Sequence, residues 1–528
     1  MHRLLVFAAI CTVALGCGGS EQEEAESSAG AALAYLPADS GFVALVSTDL
    51  DSDAWNALEK TVFPVEETVR EGLEEEEEGR VSWDDDVKPL LGNDLVVGSQ
   101  SRSGLFDDAT GDGREDDDFI GALEVADADK LRDTLEKLGL RRAGEERGAE
   151  IWVEDESSEV AGIHSDVLLI AEDREAIARA VERREDGGGL TQDLLDERLD
   201  ALPGDAPVRV FGSLEGVAEV DELARFGKVP WVQALESFGF ALSAGDDEVR
   251  ADATINTNAE RLGEDDLPLA TGAESPEVVA REREISAANR DQSRTTVFLL
   301  RLMRAAYPNS RFVEAVDRVE RDLEIDFEDE VLRQFNGPSA SYVSPDGRTF
   351  AARSEVSDPQ ALRRVLPRLA PHLPELINGL QGLQSEGMAL LFLFAPDAPM
   401  LASSGPLLDV RVHRPSTDDG LYRVTGLTGE GPSEMWFGVV DDVFVVASTE
   451  ERAREIAEAD TQPVDGAQGA GVMRVDVSSV VDALGGGGFL PLTGARELRA
   501  SVEAGTDRLH LRLRLEVEAR RPLVPFGS

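Results

Sequence analysis

Five short blocks of sequence occur twice along this chain, in the same order. Asp85 and Val87 return 244 residues later as Asp329 and Val331. Glu124-Val125-Ala126-Asp127, with Leu131, Leu135 and Leu138 behind it, returns at a spacing of 231 as Glu355-Val356-Ser357-Asp358 with Leu362, Leu366 and Leu369. Asp166-Val167-Leu168-Leu169-Ile170-Ala171 returns at a spacing of 276 as Asp442-Val443-Phe444-Val445-Val446-Ala447. Arg209-Val210 with Ser213 matches Arg474-Val475 with Ser478, and Ala244-Gly245 with Asp247 matches Ala504-Gly505 with Asp507. Ordered self-similarity of this kind marks a copied structural design, so the chain must fold as two related units.

Within a unit the local signals are mixed. Phe42 to Thr48 and Asp166 to Ala171 are apolar runs of strand length. Asp127 precedes a helix whose Leu131, Leu135 and Leu138 recur at the spacing of a buried stripe. Val249 to Asn256 and Leu509 to Val517 alternate apolar with polar residues, as strands with one wet face do, and turns such as Gly245-Asp246-Asp247 join neighbours into hairpins. The expected class is α+β, with two duplicated units, each a largely antiparallel sheet with helices packed on one face. The units run from 31 to 260 and from 261 to 520, and 521–528 form a tail.

The shifts in spacing locate what one copy has and the other lacks. From 244 to 231 the first unit carries about 13 extra residues, coinciding with the acidic stretch Asp107 to Asp118. From 231 to 276 the second carries about 45, within 371–410, including Met388 to Ala395. Material present in one copy is not required by the shared fold, and loops accept it at low entropic cost. In the acidic stretch Asp108, Thr110, Asp112 and Asp116 are spaced like the start of a calcium loop, and Gly113 permits a sharp turn. Phe119 stands where the closing acidic ligand belongs, so a plain solvated, self-repelling loop is the competing reading. In the apolar stretch Leu390, Leu391, Phe392, Leu393 and Phe394 form the centre of a run that will not stay exposed. Burying its eight apolar residues contributes on the order of 10 kcal/mol. It packs as an extra core element, lines a groove for a lipid or other apolar ligand, or meets a partner.

The N-terminus reads as an address. Met1-His2-Arg3 is a basic head, Leu4 to Leu15 is an apolar run too short to span a bilayer, and Ala14-Leu15-Gly16-Cys17 resembles a bacterial lipobox. On that reading residues 1–16 are a lipoprotein signal peptide that takes Cys11 with it, and Cys17 is lipidated. Residues 17–30, small, polar and acidic, are a flexible tether of about 14 residues reaching roughly 20 Å. The protein is then anchored to the cell membrane, on its extracytoplasmic face, through Cys17.

Charge and motif content narrow the function further. Against 51 Lys+Arg stand 105 Asp+Glu, a net charge of −54, which argues against nucleic acid as a partner because phosphate binding needs a basic footprint. No phosphate-cradling Gly-x-x-x-x-Gly-Lys, His-Glu-x-x-His or Gly-x-Ser-x-Gly occurs. His164, His372, His413 and His510 are not spaced as metal ligands. Asp84-Asp85-Asp86 keeps its acidity in the second copy as Glu328-Asp329-Glu330, and capping of a short helix accounts for it. The expectation is a non-enzymatic chain without a cofactor, calcium aside.

Ala34-Tyr35-Leu36-Pro37-Ala38-Asp39-Ser40-Gly41-Phe42-Val43, then Asp49 to Trp55, then Asp86-Val87-Lys88-Pro89-Leu90-Leu91-Gly92, resembles a bacterial, mainly actinobacterial, family known as domain of unknown function 3352. The resemblance implies an envelope protein with a signal or anchor segment, and no assigned activity or functional residues. The reading is therefore a lipid-anchored binding or structural module of the envelope, its partner an unknown envelope protein or lipid. The alternative is a carrier of a lipid or other apolar ligand.

Overall fold

The computed structural model describes residues 30–61, 70, 80–99, 119–154, 159–215, 217, 224–245, 247–272, 274–279, 281, 284–384, 410–415, 420–427, 434–483 and 495–518. The chain divides into two compact units. Unit 1 comprises Met1–Asp221, Glu236–Asn256 and Glu516–Ser528; unit 2 comprises Glu222–Leu235 and Thr257–Leu515.

Unit 1 is built on β1 (Phe42–Ser47), β2 (Asp94–Ser99), β3 (Phe119–Glu124), β4 (Arg141–Glu146), β5 (Ala149–Val153), β6 (Val160–His164), β7 (Val167–Ala171), β8 (Val208–Ser213), β9 (Leu235–Ala244) and β10 (Glu248–Thr257). They lie side by side in the order β4-β5-β6-β7-β3-β2-β1-β8-β9-β10. Unit 2 has β11 (Ile285–Asn289), β12 (Ser339–Val343), β13 (Phe350–Glu355), β14 (Arg411–His413), β15 (Tyr422–Thr425), β16 (Glu434–Val440), β17 (Val443–Ala447), β18 (Gly471–Asp476), β19 (Ala495–Ala504) and β20 (Arg508–Val517). Their order is β14-β15-β16-β17-β13-β12-β11-β18-β19-β20, the same path strand for strand. The protein is α+β, with two duplicated units, each a largely antiparallel sheet.

Registers repeat as well as order. Leu95 faces Leu123 across β2–β3, and Ser339 faces Ser354 across β12–β13, which are the spacings of 244 and 231 read from the sequence. Glu124 faces Val167 and Glu355 faces Val443, the spacings of 231 and 276. The β6–β7 hairpin turns through Ser165 at φ 58° and the β16–β17 hairpin through Asp441 at φ 51°, both in the left-handed region that two-residue hairpins demand. One block is displaced. Val208 of β8 faces Leu242 and Gly471 of β18 faces Val502, so the match of Arg209 to Arg474 is two residues off the structural register.

Helix starts repeat for the same reason. Asp127 caps α2 (Ala128–Lys137), accepting from the Asp129 and Lys130 N–H groups, and Asp358 caps its counterpart α7 (Pro359–Leu369). Asp173 caps α3 (Arg174–Asp186), and Thr449 caps its counterpart α9 (Glu450–Glu458). The short acidic turns obey the same rule. The Asp85 N–H donates to Ser82 while Asp86 accepts from the Ser82 N–H at 3.0 Å; Asp326 and Glu330 reproduce this in unit 2, at 2.9 and 3.1 Å. Capping thus accounts for Asp86 and Glu330, whereas Glu328 pairs with Arg301 and Arg333.

Alternating residues carry the cores. In unit 1 Leu169 and Ala171 of β7 pack with Ala176, Ile177, Ala180 and Val181 of α3. In unit 2 Val445 and Ala447 of β17 pack with Ala453 and Ile456 of α9, while Phe437 and Val439 of β16 pack with Leu362 and Leu366 of α7. Neighbours Phe350 and Ala351 on β13 belong to these two different clusters. The helical cover expected on one face is present, and the opposite face of the unit 2 sheet is covered as well. Each copy-specific addition sits where the spacing shift placed it. Residues 100–118 link β2 to β3, against 344–349 between β12 and β13; residues 370–410 link α7 to β14, against 138–140 between α2 and β4.

Candidate functional site

Most residues singled out from the sequence, Cys17, Asp108, Thr110, Asp112, Asp116, and Leu390 to Phe394, lie outside the described residues. What is described of the apolar insertion includes α8 (Leu373–Gln384). There Leu376 joins Val316, Val319, Val365 and Leu369, and Ile377 joins Leu362 and Leu366, in buried clusters. The four histidines stay apart: His164 meets Tyr35, His413 meets Thr425, His510 meets Arg512. Among the described residues no group of three or more His, Cys, Asp or Glu could hold a metal ion, and no helix is long and apolar enough to cross a membrane.

Two buried tyrosines are tied to arginine in comparable ways. In unit 1 the Tyr35 hydroxyl meets His164 Nδ1 at 2.9 Å and accepts from Arg184 of α3. Burial pushes the tyrosine's pKa up although Arg184 opposes it, and burial together with Arg184 pushes that of His164 down. In unit 2 the Tyr342 hydroxyl accepts from Arg452 of α9 at 3.2 Å, and the Arg281 guanidinium lies 4.5 Å from its ring centre. Both clusters pin a helix to the sheet.

One difference that accompanies a cleft lies between the seventh and eighth strands of each unit. Unit 1 makes this crossing with residues 172–207, enough for a second helix, α4 (Gln192–Arg198). Leu195, Leu199 and Leu202, on and just after α4, cluster with Phe211 of β8 and Ala241 of β9. Arg198 lies 4.8 Å from the Phe211 ring centre, and Asp196 meets the buried Arg209 at 3.3 Å. Phe211 faces Gly239 across β8–β9, and a Cβ on Gly239 would come within 2.9 Å of Leu202 and 3.2 Å of Leu199. The strand face is sealed, and glycine is what the seal accepts.

Unit 2 makes the same crossing with residues 448–470 and forms no second helix there. After α9 the chain bridges back through Gln462 to Val278, their N–H groups and carbonyls meeting at 2.9 Å, and turns at Gly466 (φ 70°) into β18. Ser286 of β11 faces Arg474 where Val43 of β1 faces Phe211, so Arg474 holds the station of Phe211. Across β18–β19 it faces Arg499, which holds the station of Gly239. An aromatic ring over a glycine has become two guanidiniums. Left uncovered, this face and the loop 462–465 enclose a cleft of about 230 Å³, lined also by Val278 and Glu497.

Two like charges directly opposed on a sheet repel. Glu497, on the same face of β19 and 16% exposed, offsets this. Its Oε2 accepts from Arg474 Nε and Nη2, each at 2.6 Å, and its Oε1 accepts from Arg499 Nε. Burial disfavours the ionised carboxyl, but the hydrogen bonds and charges of Arg499 and Arg474 outweigh it and hold Glu497 below the usual carboxylate range. The triad is a rigid, charge-assisted platform along one wall of the cleft, with Asp465 on the loop side.

Reading the sequence missed this site, though a signal was there. Between the third and fourth blocks the spacing falls from 276 to 265, the trace of the missing helix. The two-residue misregister also hid the exchange, because it set Arg474 beside Arg209 rather than beside Phe211.

No family model matches the chain, and no curated protein matches it. Solved structures similar to it include crystal forms III and I of TP0453, at 10% and 8% identity, covering 43% and 44% of this chain and 79% and 80% of that one. Their TM-scores are 0.26 and 0.25, too low to bear on function.

Proposed function

We propose that this chain is a lipid-anchored, extracytoplasmic, non-enzymatic binding module of the bacterial envelope, with unit 1 the closed scaffold copy and unit 2 the copy that binds. The observation that carries the binding role is the exchange of a sealed Phe211–Gly239 pair for an open Arg474–Arg499 pair at one station of a duplicated sheet. A cleft formed where unit 2 lacks a helix that unit 1 has is a feature the common fold does not require. The anchoring rests on Ala14-Leu15-Gly16-Cys17 and on the acidic stretch after it, which would hold the units off an anionic surface. The resemblance to the envelope family of unknown function agrees with that placement.

The anchoring is tested by expressing the full chain in a bacterial host and measuring the mass of its N-terminal peptide. The expected result is a peptide beginning at Cys17 and carrying acyl chains, with the protein in the membrane fraction and Cys17→Ala in the soluble one. An unmodified Cys17, or membrane association unchanged in the variant, would overturn it.

A further inference from the structure

We infer that the unit 2 cleft takes a small zwitterion, a molecule of free amino-acid type whose carboxylate meets Arg474 and Arg499 and whose ammonium meets Asp465. This deepens the proposed binding role and rests on it.

Three features of the cleft select that chemistry. Its size comes first: about 230 Å³ is the volume of about eight waters, so the ligand has roughly that many non-hydrogen atoms. Next is the geometry of the strand wall. Glu497 engages Nε and Nη2 of Arg474, so the Nη1 amino group stands outside that pair, on a guanidinium already fixed in position. A planar fork held in place suits a carboxylate, because the ordering cost has been met before the ligand arrives. Third is charge. Arg474 and Arg499 against Glu497 and Asp465 make the lining neutral overall. The chain around it carries a net charge of −54, which opposes the approach of a free anion. A ligand with no net charge escapes that field and still presents one group of each sign.

The test is calorimetric titration of the full chain with glycine, L-leucine, acetate and ethylamine. The amino acids are expected to bind, and acetate and ethylamine to bind at least about tenfold more weakly, since each offers half of the recognition. Asp465→Asn, on an exposed loop, should weaken amino-acid binding about tenfold and leave acetate unchanged. Arg474→Lys keeps the charge and removes the fork, and should also weaken the amino acid. Circular dichroism of both variants separates lost binding from lost fold. Acetate bound as tightly as glycine, binding indifferent to Asp465→Asn in a folded variant, or binding of none of the four would overturn the inference. An acylated Cys17 beside an unoccupied cleft would sink this inference and leave the anchoring intact.

Discussion

Units 1 and 2 follow one path of ten strands, yet at the crossing from the seventh to the eighth they make opposite use of the same surface. In unit 1 α4 lies on it, and Leu195, Leu199, Leu202 and Phe211 exclude water. In unit 2 the helix is missing and the positions beneath it are arginine, held by a glutamate. The lesson is that a duplicated fold can gain a site by omission. Removing a cover exposes one part of the sheet face that elsewhere carries the core, since Arg474 stands on the same face as Ala288, Tyr342 and Val472. Additions such as 100–118 and 371–410 draw the eye in a sequence, whereas a deletion leaves only a change in spacing.

The strongest way to break this comparison is to exchange the paired residues. Gly239→Arg would drive a charged side chain against Leu202 and Leu199, and should cost unit 1 about 4 kcal/mol or more by urea unfolding. The reciprocal Arg499→Gly removes a partly exposed partner of Glu497 and should cost less, about 2 kcal/mol. Equal costs would mean that the two faces are not sealed and open respectively. Next in size, Leu195→Ala, beneath the middle of α4, should cost about 3 kcal/mol in the same measurement. A loss under about 1 kcal/mol would show that α4 is not the seal.

A finer comparison uses the acidic turns, which repeat in register but differ in surroundings. Asp86 is 5% exposed and pairs with Lys137, whereas Glu330, its counterpart, is exposed. Asp86→Asn should cost about 2 kcal/mol at neutral pH; Glu330→Gln should cost about 0.5 kcal/mol. Burial works against ionisation of Asp86, but the Lys137 hydrogen bond, the Ser82 N–H and the charges of Lys137 and Lys130 prevail and hold its pKa below the ordinary value. A depressed carboxyl stabilises fully above the ordinary aspartate pKa near 4 and loses that contribution as pH falls through the lower folded value. Wild type and Asp86→Asn should therefore converge in stability on acidification. A difference that does not shrink as the pH falls would assign the effect to packing.

Much of the fold was legible because its signals are local. Asp127 and Asp358 announce helices through side chains that can reach only the next N–H groups, and the spacings of 231 and 276 fall on real strand pairs because hairpin turns fix register. Arg209 and Arg474 show where this fails. A slip of two residues leaves every side chain on its own face, so chemical likeness cannot detect it, and only the hydrogen-bond ladder does. The cleft was illegible for a related reason: Val278, loop 462–465, Arg474 and Glu497 are brought together by topology, from segments nearly 220 residues apart in sequence.

By itself the sequence determined the duplication, the α+β class, the helix caps and the positions of the additions, since each depends on residues close in the chain or on a repeat of them. The tertiary structure alone decided which strand face is covered and which is open. That depends on whether a helix from elsewhere in the chain comes to lie over it, and burial is a property of what surrounds a residue rather than of the residue.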